Sequence, residues 1–177
     1  MPYQAWEACV NSPGEGAGTA LANSTSATDI SPAPQYMSQT YGAMYVGQRW
    51  RLTAYGIFST TGTPTLLLGF YYGGVAGTAL ITSAATTTAS GASNLWWQIQ
   101  ALMEVRTLGS SGTVWSQGWL DLATTATAAS RIPLANTSQA VTVNTTTNSA
   151  LTCGATWGTA SSSNTITCEG MVIEQLN

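Results

Sequence analysis

The side chains able to carry acid–base, nucleophilic or metal chemistry are few. They are seven carboxylates (Glu7, Glu15, Asp29, Glu104, Asp121, Glu169 and Glu174), three thiols (Cys9, Cys153 and Cys168) and four guanidinium groups (Arg49, Arg51, Arg106 and Arg131). There is no His and no Lys. Without His there is no Ser-His-Asp or Cys-His relay and no imidazole for zinc. Without Lys there is no Schiff base and no phosphate loop of the Walker type. The three Cys lack metal-ligand spacing. A glycosidase needs two carboxylates flanking one bond, and the strand pattern offers only Glu104 and Asp121 on one face, in diagonal positions. Glu104 and Arg106, two apart on a strand, read as an ion pair. The residues therefore predict a protein that is not an enzyme and holds neither cofactor nor metal; an enzyme would have to lose hydrolysis on Glu104→Gln or Asp121→Asn.

What remains is aromatic. Residues 95–122 alternate around Gly109-Ser110-Ser111-Gly112, a four-residue hairpin loop. Closing it opposes Leu108 with Thr113, Arg106 with Trp115, Glu104 with Gln117 and Leu102 with Trp119. One face then holds Trp97, Ile99, Ala101, Met103, Val105, Val114, Leu120 and Leu122, and is core. The other holds Trp96, Gln98, Gln100, Leu102, Glu104, Arg106, Trp115, Gln117, Trp119 and Asp121. A polar face with embedded aromatics suits a protein interface or a ligand platform; the plainer reading is that a second sheet or loop covers these rings. The candidate interface is Trp96, Leu102, Trp115 and Trp119, together with Tyr3 and Trp6 near the N-terminus. Carbohydrate-binding modules stack sugars on such rings, and oligomer interfaces use the same residue types.

A second hairpin is expected around residues 158–163. Opposing Trp157 with Asn164 places Cys153 opposite Cys168, on a face shared with Leu151, Trp157, Ile166 and Val172. Directly opposed side chains are about 5 Å apart at Cβ, so this register fits either a disulfide or two buried reduced thiols. Three Cys without a secretory start favour reduced thiols. Cys9 has no candidate partner.

The elements that must position these groups are strands. Trp50, Leu52, Ala54, Gly56 and Phe58 alternate with Arg49, Arg51, Thr53, Tyr55 and Ile57. After a turn at Thr61-Gly62-Thr63-Pro64, residues 66–72 form an apolar run ending at Gly73-Gly74, and Ala79-Leu80-Ile81 follows. No amphipathic helical stripe with caps occurs, and the abundant Thr favours strands. The Gly/Ser/Ala-rich residues 1–34 have no period. They read either as an extended arm ordered by a partner or as a frayed terminus, ahead of a domain at 35–177. The fold class is thus all-β: an antiparallel jelly-roll-like β-sandwich with an extended N-terminal arm. A chain of 177 residues buries about 70% of its unfolded surface as one domain and needs no metal or disulfide framework.

Composition narrows the partners. Charged residues make up 6% of the chain, far below the usual ~25%, so Ser, Thr, Asn and Gln supply most of the hydrated surface. A net charge of −3 with four scattered Arg gives no grip on phosphates, which argues against nucleic-acid binding. The start lacks a basic and apolar leader. The apolar residues 65–81 contain glycine breaks, have no basic flank and barely reach spanning length, so no membrane span is expected. The sequons at Asn23, Asn136 and Asn144 are those that chance places in a Thr-rich chain.

Three stretches carry a family resemblance: QRWRLTAYGIFSTTGTPTL (48–66), residues 97–118 with EVRTLGSSGTVWSQG, and TWGTASSSNTITCEGMVIEQL (156–176). Over about residues 36–177 the chain resembles small jelly-roll structural proteins of siphophages infecting actinobacteria, which are capsid decoration (cement) or minor structural proteins. The resemblance implies a homotrimer that binds the major capsid protein on the outer surface of the virion, synthesised in the host cytoplasm. A tail or fibre-tip module that binds host cell-wall carbohydrate is the alternative. Residues 1–34 lie outside the resemblance.

Overall fold

Alternating burial builds the fold. Among the described residues of the computed structural model (8–9, 16–32, 35–36, 44–136 and 140–176), the only regular elements are strands. Four two-residue strands come first: β1 (Ala8–Cys9), β2 (Leu21–Ala22), β3 (Thr28–Asp29) and β4 (Gln35–Tyr36). Then follow β5 (Arg49–Ser59), β6 (Thr65–Tyr72), β7 (Thr78–Thr82), β8 (Thr86–Thr87), β9 (Leu95–Thr107), β10 (Gly112–Thr125), β11 (Ala128–Leu134), β12 (Val141–Val143), β13 (Ala150–Trp157) and β14 (Thr165–Gln175). They form two antiparallel sheets. The larger runs β1-β14-β5-β9-β10-β11, with β2 also on β14 and β12 also on β10; the smaller runs β3-β13-β6-β7, with β4 on β13 and β8 on β6.

The pairing is nested. β5 pairs with β14, β6 with β13, and β9 with β10, while Thr82 bridges Ala135 at the turn of the roll. A long ribbon folded on itself and rolled gives such nesting, which is the jelly-roll-like winding of a β-sandwich. Between the sheets lies one hydrophobic cluster in which Trp50, Trp97 and Trp157 are the largest fully buried side chains. Trp97 donates its indole N–H towards the carbonyls of Ile57 and Thr167, each at 3.3 Å.

The β9–β10 hairpin has the expected faces in a different register. Leu102 opposes Gln117 and Trp119 opposes Gln100, whereas Leu102 was expected opposite Trp119. The cause is local. Thr107 pairs with Thr113, but Val105 pairs with Val114, so Arg106 is an extra residue in a bulge. Gly109 closes the loop with φ 119°, a left-handed value that favours glycine. Thr145 clamps that loop, its Oγ1 accepting the Gly109 N–H at 2.9 Å and its own N–H donating to the Gly109 carbonyl at 3.1 Å. Parity survives because the total shift from the expected register is two residues.

The C-terminal hairpin is corrected outright. β13 and β14 do not pair; they lie in opposite sheets, with Cys153 opposite Phe70 and Cys168 opposite Gly56. The loop at 158–164 is a crossover from one sheet to the other. A further bulge in β14 between Cys168 and Gly170 reverses the alternation, so Met171 and Ile173 are buried while Val172, expected in the core, faces outward and is half-buried.

Residues 16–32 are bound to their own sandwich. β1 and β2 cover the outer edge of β14, and β3 and β4 cover that of β13. Gly18 N–H donates to Cys168 O at 2.8 Å, Ile30 N–H to Cys153 O at 3.0 Å, and Cys153 N–H to Ser31 Oγ at 2.7 Å. Leu21 and Ile30, 4% and 0% exposed, belong to the core. Over its described part the arm is therefore a strap across two sheet edges that would otherwise offer unpaired backbone. Ile30→Ala is expected to lower the unfolding free energy by about 2–4 kcal/mol, as for a core isoleucine. A urea titration checks this, and a change below about 0.5 kcal/mol would mean that the strap is not part of the cooperative unit.

Candidate functional site

The outer face of the larger sheet assembles the aromatic residues that the sequence singled out. Parity puts them there: Trp97, Ile99, Ala101, Met103 and Val105 point into the core, so Trp96, Gln98, Gln100, Leu102 and Glu104 point out. Cross-strand rows follow from the register. Arg49, Glu104 and Trp115 form one row, Glu174, Arg51, Leu102 and Gln117 the next, and Thr53, Gln100, Trp119 and Pro133 a third. Tyr55, Gln98, Asp121 and Arg131 form a fourth. Trp96 and Leu102 are exposed, at 39% and 37%, and Trp115 and Trp119 half-buried. No second sheet or loop among the described residues seals this face. Tyr3 and Trp6 lie outside the described residues.

All four Arg of the chain are on this face, each held by a carboxylate. Arg49 Nε lies 2.8 Å from Glu104 Oε2, and Arg106 Nη1 lies 3.3 Å from Glu104 Oε1, the pair expected from their spacing. Arg51 Nη1 meets Glu174 Oε2 at 3.1 Å. Arg131 makes a two-pronged pair with Asp121, at 2.8 and 2.7 Å. The hydrogen bond from Arg49 holds the Glu104 carboxyl below its usual range, with Arg106 adding to it; the Asp121 hydrogen bond raises the Arg131 guanidinium further. The same guanidinium groups lie over indole rings, Arg106 at 5.9 Å from the Trp115 centroid and Arg131 at 5.1 Å from that of Trp119.

The carboxylates do not form a catalytic pair. Glu104 opposes Trp115 whereas Asp121 opposes Gln98, correcting the diagonal placement. Six residues of β10 separate their rows, about 20 Å at strand rise, and a glycosidase pair spans at most ~10 Å. Each carboxylate is also committed to arginine. Among the described residues no three His, Cys, Asp or Glu side chains are grouped to hold a metal ion. The sequence reading missed Arg131 and its grip on Asp121 and Trp119. The turn before β11 contains only Thr and Ala, so it carries no Gly, Asn or Pro signal.

At one corner of the face is a groove of about 320 Å³ lined by Arg49, Leu102, Glu104, Trp115, Gln117 and Leu176, with Met103 at its floor. Leu176 reaches it because its N–H donates to the Arg49 carbonyl at 2.9 Å. At the same end, the turn holding exposed Tyr45 and Val46 is tied to β9, Gly47 N–H donating to Val105 O at 2.8 Å.

No protein-family model, no curated protein and no solved structure matches this chain.

Cys153 and Cys168 are both free thiols, buried in the core from opposite sheets. Burial pushes the Cys153 thiol well up, and Cys168 adds to that; burial also pushes Cys168 up to about 12. Below about pH 8.5 both thiols are neutral whether folded or unfolded, and they do not affect the pH dependence. Above it the unfolded thiols release protons and the folded ones hold theirs, so stability falls as pH rises towards 12. Each thiol contributes up to about 1.4 kcal/mol per pH unit. Urea titrations between pH 8 and 11 should show this decline, and Cys168→Ala should flatten it relative to its own pH 8 value. An unchanged slope would mean that Cys168 is not shielded.

Proposed function

We propose that this protein is a non-enzymatic structural protein of a phage virion: a decoration (cement) protein that binds the assembled shell as an oligomer and stabilises it. One observation carries this reading. The outer face of the larger sheet combines exposed aromatic and aliphatic side chains with arginines already neutralised in place. Rings, Arg and a low density of unpaired charge are the composition of a protein-binding surface. All four cations of the face are ion-paired, to Glu104, Glu174 and Asp121, while the chain as a whole carries −3. A protein that binds only the assembled shell stabilises it by mass action, and several weak contacts per oligomer strengthen one another through effective concentration. The family resemblance of residues 36–177 supports the same reading, including the trimer, the major capsid protein as partner and the outer capsid surface as location.

The exposed Trp96 favours a second reading, a tail or fibre-tip module that stacks cell-wall sugar. The guanidinium groups over Trp115 and Trp119 weigh against it, since a sugar needs an open ring face. Copy number separates the two: decoration needs hundreds of copies per particle and a tail tip only a few. For decoration, particles carrying the protein should resist heat better than particles stripped of it. Trp119→Asp should weaken shell binding about tenfold or more, as for loss of a central aromatic anchor. Regular occupancy in a particle reconstruction is expected. Equal heat resistance with and without the protein, and no regular occupancy, would remove the proposal.

A further inference from the structure

The larger sheet ends at β11, and the register fixes which backbone groups of that strand are unused. Val105 donates its N–H to Gln48 O at 2.9 Å and accepts the Gly47 N–H at 2.8 Å, so odd-numbered residues of β9 turn towards β5. Even-numbered residues of β9 therefore bond the odd ones of β10. Gly118, Leu120 and Leu122 of β10 are left to bond Leu134, Ile132 and Ser130 of β11. Ala129, Arg131 and Pro133 remain, with their backbone groups pointing away from the sheet. The next residue of that series, Ala135, is met by Thr82 of β7 at 2.9 and 3.2 Å. Among the described residues no backbone group meets the outward groups of Ala129, Arg131 or Pro133. Residues 128–131 and 133 are exposed.

An open edge is a template for another strand unless a charge or a proline guards it. Both guards are present here, and both leave a gap. Arg131 does not stand along the edge: Asp121 draws it back over the sheet, at 2.8 and 2.7 Å, and it lies over Trp119. Pro133 removes one donor at the end of the row and leaves the N–H and C=O of Ala129 and Arg131 intact. Those two residues are self-complementary. In an antiparallel pair centred on Ser130, Ala129 of each copy opposes Arg131 of the other as a bonded pair. Two donors from each copy then make four bonds, and none is asked of Pro133. Side chains fit as well, because the small Ala129 stands beside Arg131 and Ser130 meets Ser130. A second copy therefore matches this edge by symmetry: it brings the same donors at the same spacing, and an arginine already neutralised.

We propose that β11 is a self-association edge, where a second copy of this chain adds its own β11 antiparallel, centred on Ser130, and continues the larger sheet from one copy into the next. The two-fold axis of such a pair stands perpendicular to the sheet, so the aromatic faces of both copies look the same way. If that face meets a viral shell, two weakly binding surfaces then act together; this consequence alone rests on the shell-binding reading. The contact is two-fold, so it neither supplies nor needs the threefold symmetry of the proposed trimer. Its test uses the isolated protein and stands apart from any shell-binding result.

The test is a disulfide trap. At the centre of the pair the two Ser130 residues form a non-hydrogen-bonded couple, about 4.5 Å apart at Cα, within the span of a disulfide. Ser130→Cys is made in a Cys9→Ser background, where the other thiols, Cys153 and Cys168, are buried. With oxidised glutathione, two thiols are oxidised to one disulfide as one glutathione disulfide is reduced. The expected result is a linked dimer whose yield rises with protein concentration. Ser110→Cys, exposed at the tip of the β9–β10 loop, should give only the background level. Ala129→Pro removes an N–H that the single copy does not use, and with it two of the four bonds across the pair. It should cut the Ser130→Cys dimer about tenfold or more, with the far-ultraviolet circular dichroism unchanged. Ala129→Arg keeps the backbone donor and sets two arginines opposite each other, and should lower the yield as well. A Ser130→Cys yield no higher than that of Ser110→Cys, or one that neither change at Ala129 moves, would overturn the proposal.

Discussion

One constraint organises the molecule: the inner face of the larger sheet must be dry. Trp50, Leu52, Ala54 and Phe58 on β5, and Trp97, Ile99, Ala101, Met103 and Val105 on β9, are buried against the smaller sheet. Because side chains alternate along a strand, fixing which residues point inward also fixes which point outward. The outer face is therefore largely a consequence of the core. Trp96, Leu102, Trp115 and Trp119 are where they are because the buried residues beside them leave no other side.

Two bulges modulate that rule with opposite results. In β9 the extra residue Arg106 changes the register near the loop, yet the faces of the hairpin match those expected. In β14 the bulge between Cys168 and Gly170 shifts parity by one, turning Met171 and Ile173 inward and Val172 outward. Tyr55 lies over Gly170 at this point, in space that a Cβ on residue 170 would take from it. The single-residue insertion thus lets one strand bury both of its halves.

Charge is confined as tightly as hydrophobicity. Every cation of the chain stands on one sheet face, each against a carboxylate, two of them over indole rings. Exposed pairs of this kind contribute little to stability. Their effect is to hold long side chains in place and to leave a surface with almost no unmet charge, which lowers the desolvation penalty for a neighbour that covers it. Elsewhere hydroxyls and backbone take the polar role, as where Thr145 clamps the Gly109 loop.

The all-β class, the faces of β5, β9 and β10, the ion pair of Glu104 with Arg106 and the aromatic outer surface were legible in the sequence, because each rests on alternation or on spacing within one strand or hairpin. Local chemistry suffices for such features. The partners of β13 and β14, the separation of Glu104 from Asp121, the inward turn of Met171 and the clasp of Arg131 on Trp119 belong to the tertiary structure alone. Each depends on which distant strands share a sheet or on where one residue is inserted, and neither is written in a period-2 pattern. The same holds for residues 16–32. Without periodicity they read as a loose arm, and only the open edges of β13 and β14, with the core sockets for Leu21 and Ile30, make them part of the fold.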